Sequence, residues 1–145
     1  MNKQKIVILG ASGSIGSAIA HEVYNEGYLP HLIGRDQNNL KKLSEDLKCS
    51  YSVVDVLDTN KLSNCLNDIT DDVSGLAYCI GSINIKSITS SEENEYIDSY
   101  RLNTLGAIIS IKSLLKNLKK NNGSILLFSS VAVKQGFANH TIIST

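Results

Sequence analysis

The residues of this chain best placed to do chemistry sit where apolar runs give way to turns. The first is Gly10-Ala11-Ser12-Gly13-Ser14-Ile15-Gly16, directly after Lys5-Ile6-Val7-Ile8-Leu9. A turn so rich in glycine lets backbone lie against a phosphate. A helix starting behind it adds unpaired N–H groups and a positive dipole end. The spacing is G-x-x-G-x-x-G, a departure from the commoner G-x-G-x-x-G. Its backbone from Gly10 through Ser12, Gly13, Ser14 and Ile15 to Gly16 is the candidate anion cradle. The bland alternative is a crowded strand-to-helix corner that carries no ligand.

Arg35, Asp55, Asn103 and Ser129-Ser130 are the other candidates. If the turn holds the pyrophosphate of a dinucleotide, the adenosine ribose falls near the end of the second strand. An acidic residue there would accept from a 2′-hydroxyl, and a basic one would hold a 2′-phosphate. Arg35 offers a planar fork suited to phosphate, so NADP(H) is expected over NAD(H). The competing reading is a solvated arginine paired with Asp36. Asp55 could accept from an adenine amino group while Val56 packs on the ring, or it could simply bond local backbone amides. Asn103 lies among apolar residues of a helix and must find partners there. It either bonds a neighbouring carbonyl or fixes a water and positions a catalytic group. Ser129 and Ser130 close a strand, where a hydroxyl faces the crevice or caps the next turn.

The elements that must position these residues follow from periodicity. Residues 5–9 read as a buried strand and 14–26 as a helix with Ile15, Ile19 and Val23 on one face, stopped by Gly27. A second strand covers 29–33, and Asp36 caps a helix with Leu40, Leu43 and Leu47 on one stripe. Residues 51–54 form a third strand. Asp58 or Thr59 caps a helix with Leu62, Cys65, Leu66 and Ile69 inward. A fourth strand is predicted over 75–80, followed by a polar loop to about residue 91. One long helix is predicted over 93–119, with Ile97, Tyr100, Leu105, Ile108, Ile111, Leu115 and Leu118 inward. Residues 124–128 make the fifth strand. Strict β-α alternation requires a parallel sheet wound on both faces, an α/β fold of Rossmann type with expected order 3-2-1-4-5. Ligands of such sheets bind beyond the carboxyl ends of the strands.

Composition excludes several alternatives. Fourteen Lys and Arg balance fourteen Asp and Glu, which leaves no electrostatic footprint for nucleic acid. No apolar stretch reaches the length of a membrane span, and because Met1–Lys5 leads straight into a strand, no cleavable signal is expected. The three cysteines, Cys49, Cys65 and Cys79, lack metal spacing, so no metal is expected. A single domain over residues 1–145 in a reducing cytoplasm is the expectation.

Taken together, these residues resemble the short-chain dehydrogenase/reductase family over essentially the whole chain. The matching segments are Gly10–Gly16, Gly34-Arg35, Asp55-Val56, Tyr78-Cys79-Ile80-Gly81 where many members have Asn-Asn-Ala-Gly, Asn103 with Gly106, and Ile125 to Ala132. The resemblance implies hydride transfer between NADP(H) and a small carbonyl or alcohol substrate. Cys79, Ile80 and Gly81 would then join the cofactor site. Ser130 would hold the substrate oxygen and Asn103 would anchor a water of the proton relay. Pairing of subunits through the long helix is also implied.

The resemblance breaks at named positions. The place of the family's catalytic tyrosine falls at Ile143, and that of its lysine falls past Thr145. The middle glycine of the turn stands at Gly13, with Ser14 where it is usual, as in the extended and regulatory branches. Phe137 is the only aromatic residue after Ser130, so a shifted tyrosine is not at hand. His140 is the candidate proton donor, or else it lines the crevice or is an ordinary loop histidine. Members of the family are usually longer, so the expectation is an incomplete or naturally truncated chain, with the fifth strand at an edge and Thr141–Ile143 uncovered. Three readings stay open: an NADP(H)-dependent oxidoreductase, a catalytically silent dinucleotide-binding sensor or scaffold, and a stable fragment without activity.

Overall fold

A computed structural model of the chain describes residues 4–69 and 72–144. Strands β1 (Lys5–Leu9), β2 (Leu29–Gly34), β3 (Ser50–Val53), β4 (Val73–Tyr78) and β5 (Ser124–Leu127) form one sheet. Its order is β3-β2-β1-β4-β5 and every pairing is parallel. The doubly wound arrangement predicted from alternation is therefore present. Its direction of winding reverses between β1 and β4, which makes that junction the topological switch point.

Alternation of side chains along each strand separates two cores. Val7, Leu9, Ile33, Leu76 and Tyr78 face α3 (Thr59–Asn67) and α5 (Gly106–Lys120), whose Leu62, Leu66, Leu114 and Leu118 are buried among them. Ile8, Leu32 and Ala77 face α1 (Ser14–Asn25) and α2 (Gln37–Leu47), which contribute Ala20, Leu40 and Leu47. Local stops are those expected of the residues. Gly27 adopts φ +86°, while the N–H groups of Gly27 and Tyr28 donate to the carbonyls of Tyr24 and Val23, closing α1. Asp36 caps α2 by accepting from the Asn39 N–H at 3.0 Å. Asp58, not Thr59, caps α3 through the Lys61 N–H.

Several boundaries differ from the reading of the sequence. β4 begins and ends two residues earlier than the predicted 75–80. β3 occupies Ser50–Val53, and Phe128 lies past the end of β5. The long helix is broken: α4 (Glu93–Tyr100) runs into a π turn (Arg101–Leu105) before α5 begins. That turn shifts the phase of the buried stripe. Ile108 and Leu115 beyond it are exposed, Leu105 and Ile111 are half-buried, and α5 buries Ala107, Ser110, Leu114 and, as predicted, Leu118; Ile97 and Tyr100, ahead of the turn, are exposed because α4 buries no residue. Ser110 can be buried because its hydroxyl donates to the Gly106 carbonyl at 2.8 Å.

Two further expectations are corrected. Ile15 is 54% exposed at the mouth of the helix, so only Ile19 and Val23 of its predicted face pack on the core. Ile142 is 1% exposed and not uncovered, and Thr141 beside it accepts the Tyr96 hydroxyl at 3.3 Å. β5 does lie at the edge of the sheet, with Ile125, Leu126 and Leu127 exposed.

Candidate functional site

β1 ends in a turn whose first residue, Gly10, has φ +78°, a conformation that favours glycine. The amides of Gly10 and Ala11 both donate to the Ile33 carbonyl, at 2.8 and 3.1 Å, tying the turn to β2. A Cβ on Gly16 would collide with the Gly10 carbonyl, so α1 sits directly against the turn. Gly13 is the N-cap and brings no side chain, and its carbonyl accepts the Ser17 N–H. The amides at Ile15 and Gly16 belong to the first turn of the helix, where N–H groups lack internal acceptors. Gly13, Ser14 and Ile15 are exposed. The turn can therefore present its amides and its dipole to an anion.

Arg35 and Asp55 meet beside this turn, at the carboxyl ends of β2 and β3. The guanidinium Nη1 lies 3.7 Å from Asp55 Oδ2, with the two side chains 73% and 42% exposed. Asp36, the partner of Arg35 in the competing reading, is occupied instead by Asn39. Asp55 Oδ1 accepts the Leu57 N–H at 3.0 Å, so the local turn bond and the charge pair coexist. Val56 is 2% exposed and its side chain is spent in the core with Leu62 and Leu66.

On the other side of the switch point, a cleft of about 560 Å³ opens over the ends of β4 and β5. It gathers Ile15, Cys79, Ile80, Gly81, Ser82, Asn103, Ser129, Ser130 and Ile143. Asn103 Oδ1 accepts the Ser82 N–H at 3.0 Å, and its Nδ2 donates to Ser99 Oγ at 3.0 Å. Ser130 caps the short turn Val131–Val133, its Oγ accepting the Ala132 N–H at 3.1 Å. The hydroxyl proton of Ser130 can still be donated. His140 is not among the residues lining the cleft. Its Nδ1 bonds the Ala138 carbonyl at 2.7 Å, and its ring lies 5.5 Å from that of Phe137. Burial pushes the thiols of Cys49 and Cys79 up to about 11, so both stay protonated near neutral pH.

Tyr78 is the residue whose role the sequence did not disclose. It is 3% exposed and donates its hydroxyl to the Leu102 carbonyl inside the π turn at 2.6 Å. The available signal was a small residue, Gly106, in mid-helix opposite an aromatic strand end.

The model of the short-chain dehydrogenase family matches residues 4–145. The chain belongs to the short-chain dehydrogenase family. This is a family of NAD(P)-binding oxidoreductases that act on small molecules. The chain is 23% identical to short-chain dehydrogenase/reductase 3 of Homo sapiens, over 90% of this chain and 47% of the relative. It is 27% identical to a 3-oxoacyl-(acyl-carrier-protein) reductase of Rickettsia bellii, over 94% and 57%. A short-chain dehydrogenase structure from Salmonella enterica serovar Typhi superposes with TM-score 0.91 at 20% identity, covering 99% of this chain and 64% of that one. The chain thus spans about half the length of the curated relatives it matches. Among the described residues no helix is long and apolar enough to cross a membrane.

Proposed function

We propose that this chain is a single dinucleotide-binding domain of an NADP(H)-dependent oxidoreductase working on a small carbonyl or alcohol substrate. The observation that carries this reading is the turn at the β1–β4 switch point, where Gly16 closes on Gly10 and helix amides remain presented to an anion. That cradle fits a pyrophosphate, because a side chain at Gly16 would fill the space that lets helix and turn meet. Arg35 supports the 2′-phosphorylated cofactor and Asp55 the adenine end. The bound dinucleotide would supply or accept hydride in the cleft. There Ser130 would hold the substrate oxygen with a hydrogen bond from its hydroxyl, and Asn103 would hold the strand-four exit and a relay water. His140, which does not line the cleft and whose Nδ1 is engaged by the Ala138 carbonyl, is not given the proton-donor role.

Three free thiols suit a reducing cytoplasm. Exposed apolar residues such as Ile97 and Leu115 suit the pairing of subunits. Fluorescence titration with NADPH and NADH is the test, followed by turnover over a panel of carbonyl compounds. Micromolar NADPH binding with turnover abolished by Ser130→Ala is expected. Binding without turnover assigns the silent sensor or scaffold role. Absence of binding to either dinucleotide overturns the proposal.

A further inference from the structure

We infer that Tyr78 is a positioning residue for the nicotinamide end of this site, acting through the π turn and Asn103. The inference rests on the dinucleotide reading above. Tyr78 is the last residue of β4, and its hydroxyl reaches the Leu102 carbonyl across the core. In an unbroken α-helix that carbonyl would accept the Gly106 N–H. Here the Gly106 N–H goes one residue further back, to Arg101, and the phenol satisfies Leu102 instead. Gly106 is required for this arrangement, because a Cβ there would strike the phenolic oxygen.

The same turn carries Asn103, whose side chain holds Ser82 through both its N–H (3.0 Å) and its carbonyl (3.4 Å). A Cβ on Gly81 would lie 3.1 Å from Asn103 Oδ1. The β4 exit is therefore gripped twice by one π turn, at Tyr78 and again at Ser82, forming a closed ring of contacts. Without the hydroxyl, the Leu102 carbonyl loses the donor that β4 supplies to it in the core, a costly change for a polar group. The remedy within reach is for the turn to anneal into α-helix, which rotates Asn103 by one residue's step, roughly 100°. Ser82 and the lining of the nicotinamide end would then be released. The adenosine end, built on Arg35 and Asp55 from other strands, meets the π turn only through Arg101, whose guanidinium donates to the Leu57 carbonyl at 3.4 Å, and shares no bond with Tyr78 or Ser82. Burial, with the nearby Asp55 charge, holds the phenol well above its ordinary value, so Tyr78 remains a donor at any working pH.

Two probes separate the ends of the site: NADPH spans both, and 2′,5′-ADP occupies the adenosine side alone. Tyr78→Phe keeps the ring and removes only the hydroxyl. Its affinity for NADPH should fall about tenfold, the scale of one buried hydrogen bond, while that for 2′,5′-ADP holds within about twofold. Gly106→Ala should give the same selective loss, and adding Tyr78→Phe to it should cost little further, because both changes break the same contact. Unchanged NADPH binding in Tyr78→Phe overturns the inference, and so does a parallel loss of both probes, which would mark a role in stability alone. A wild-type chain that binds neither probe removes the dinucleotide reading itself.

Discussion

Replacing Arg35 by Ala should weaken NADPH binding and leave NADH binding nearly untouched. A charge-assisted hydrogen bond to a 2′-phosphate contributes about 1.5–3 kcal/mol. Part of that is offset, because Arg35 already lies 3.7 Å from Asp55 and must turn from it. Both partners are well exposed there, so the existing pair is worth at most about 1 kcal/mol. The net is roughly 0.5–3 kcal/mol, or a loss of affinity between about twofold and about 150-fold in the variant. NADH has a hydroxyl where NADPH has the phosphate, so the same substitution removes nothing of comparable strength. Titrating both cofactors against wild type and Arg35→Ala at low salt measures the difference directly. Repeating the series at high salt should narrow the gap, since an exposed pair of charges is screened. Equal losses for the two cofactors, or a gap indifferent to salt, would refute the assignment of Arg35 to the phosphate.

Two further outcomes are expected. Gly16→Ala should lower stability by about 1–3 kcal/mol, because the added methyl meets the Gly10 carbonyl and forces α1 off the turn. A urea midpoint equal to that of wild type would show that the turn yields without cost. Glu95 accepts from Lys86 Nζ at 2.8 Å, from the Glu92 N–H at 2.9 Å and from Asn84 at 2.9 Å, and the lysine leads these in holding its carboxyl down to about 2. A depressed carboxylate stabilises the folded state above its ordinary value of 4.5 and loses that contribution as pH falls toward 2. The advantage of wild type over Glu95→Gln should therefore be constant above about pH 5 and vanish on acidification to about pH 2. Denaturation profiles that run parallel through that window would contradict the link.

Much of the fold was legible because periodicity and punctuation agree. Five apolar runs alternate with helices, and Gly27, Asp36 and Asp58 stop or start those helices where their residue types say they should. The β-α alternation then restricts the topology, and strand order 3-2-1-4-5 follows with the switch point beside the glycine turn. The turn itself was legible for a local reason, since its glycines are demanded by contacts within a few residues. Partnerships across the sheet were not. Asp55 rather than Asp36 meets Arg35, a pairing that depends on two strand ends lying side by side and not on proximity in sequence.

The helical segment after β4 shows where pattern reading stops. Counting apolar residues at helical spacing from Ile97 places Ile108 and Leu115 inward, which is sound for an unbroken α-helix. A single π turn adds one residue to one circuit, and every position beyond it rotates by about 100°. Ala107, Ser110 and Leu114 then take the buried face, while Leu118 stays buried as the count had it. No composition signal marks Arg101-Leu102-Asn103-Thr104-Leu105 as a π turn, because what holds it is the hydroxyl of Tyr78, more than twenty residues earlier. Asn103 is thus aimed by a strand residue and not by its own helix, so the direction of a site side chain here is a property of tertiary structure. This coupling also explains why Gly106, poor for a helix interior, is found there: the position is reserved for the phenol that sets the phase.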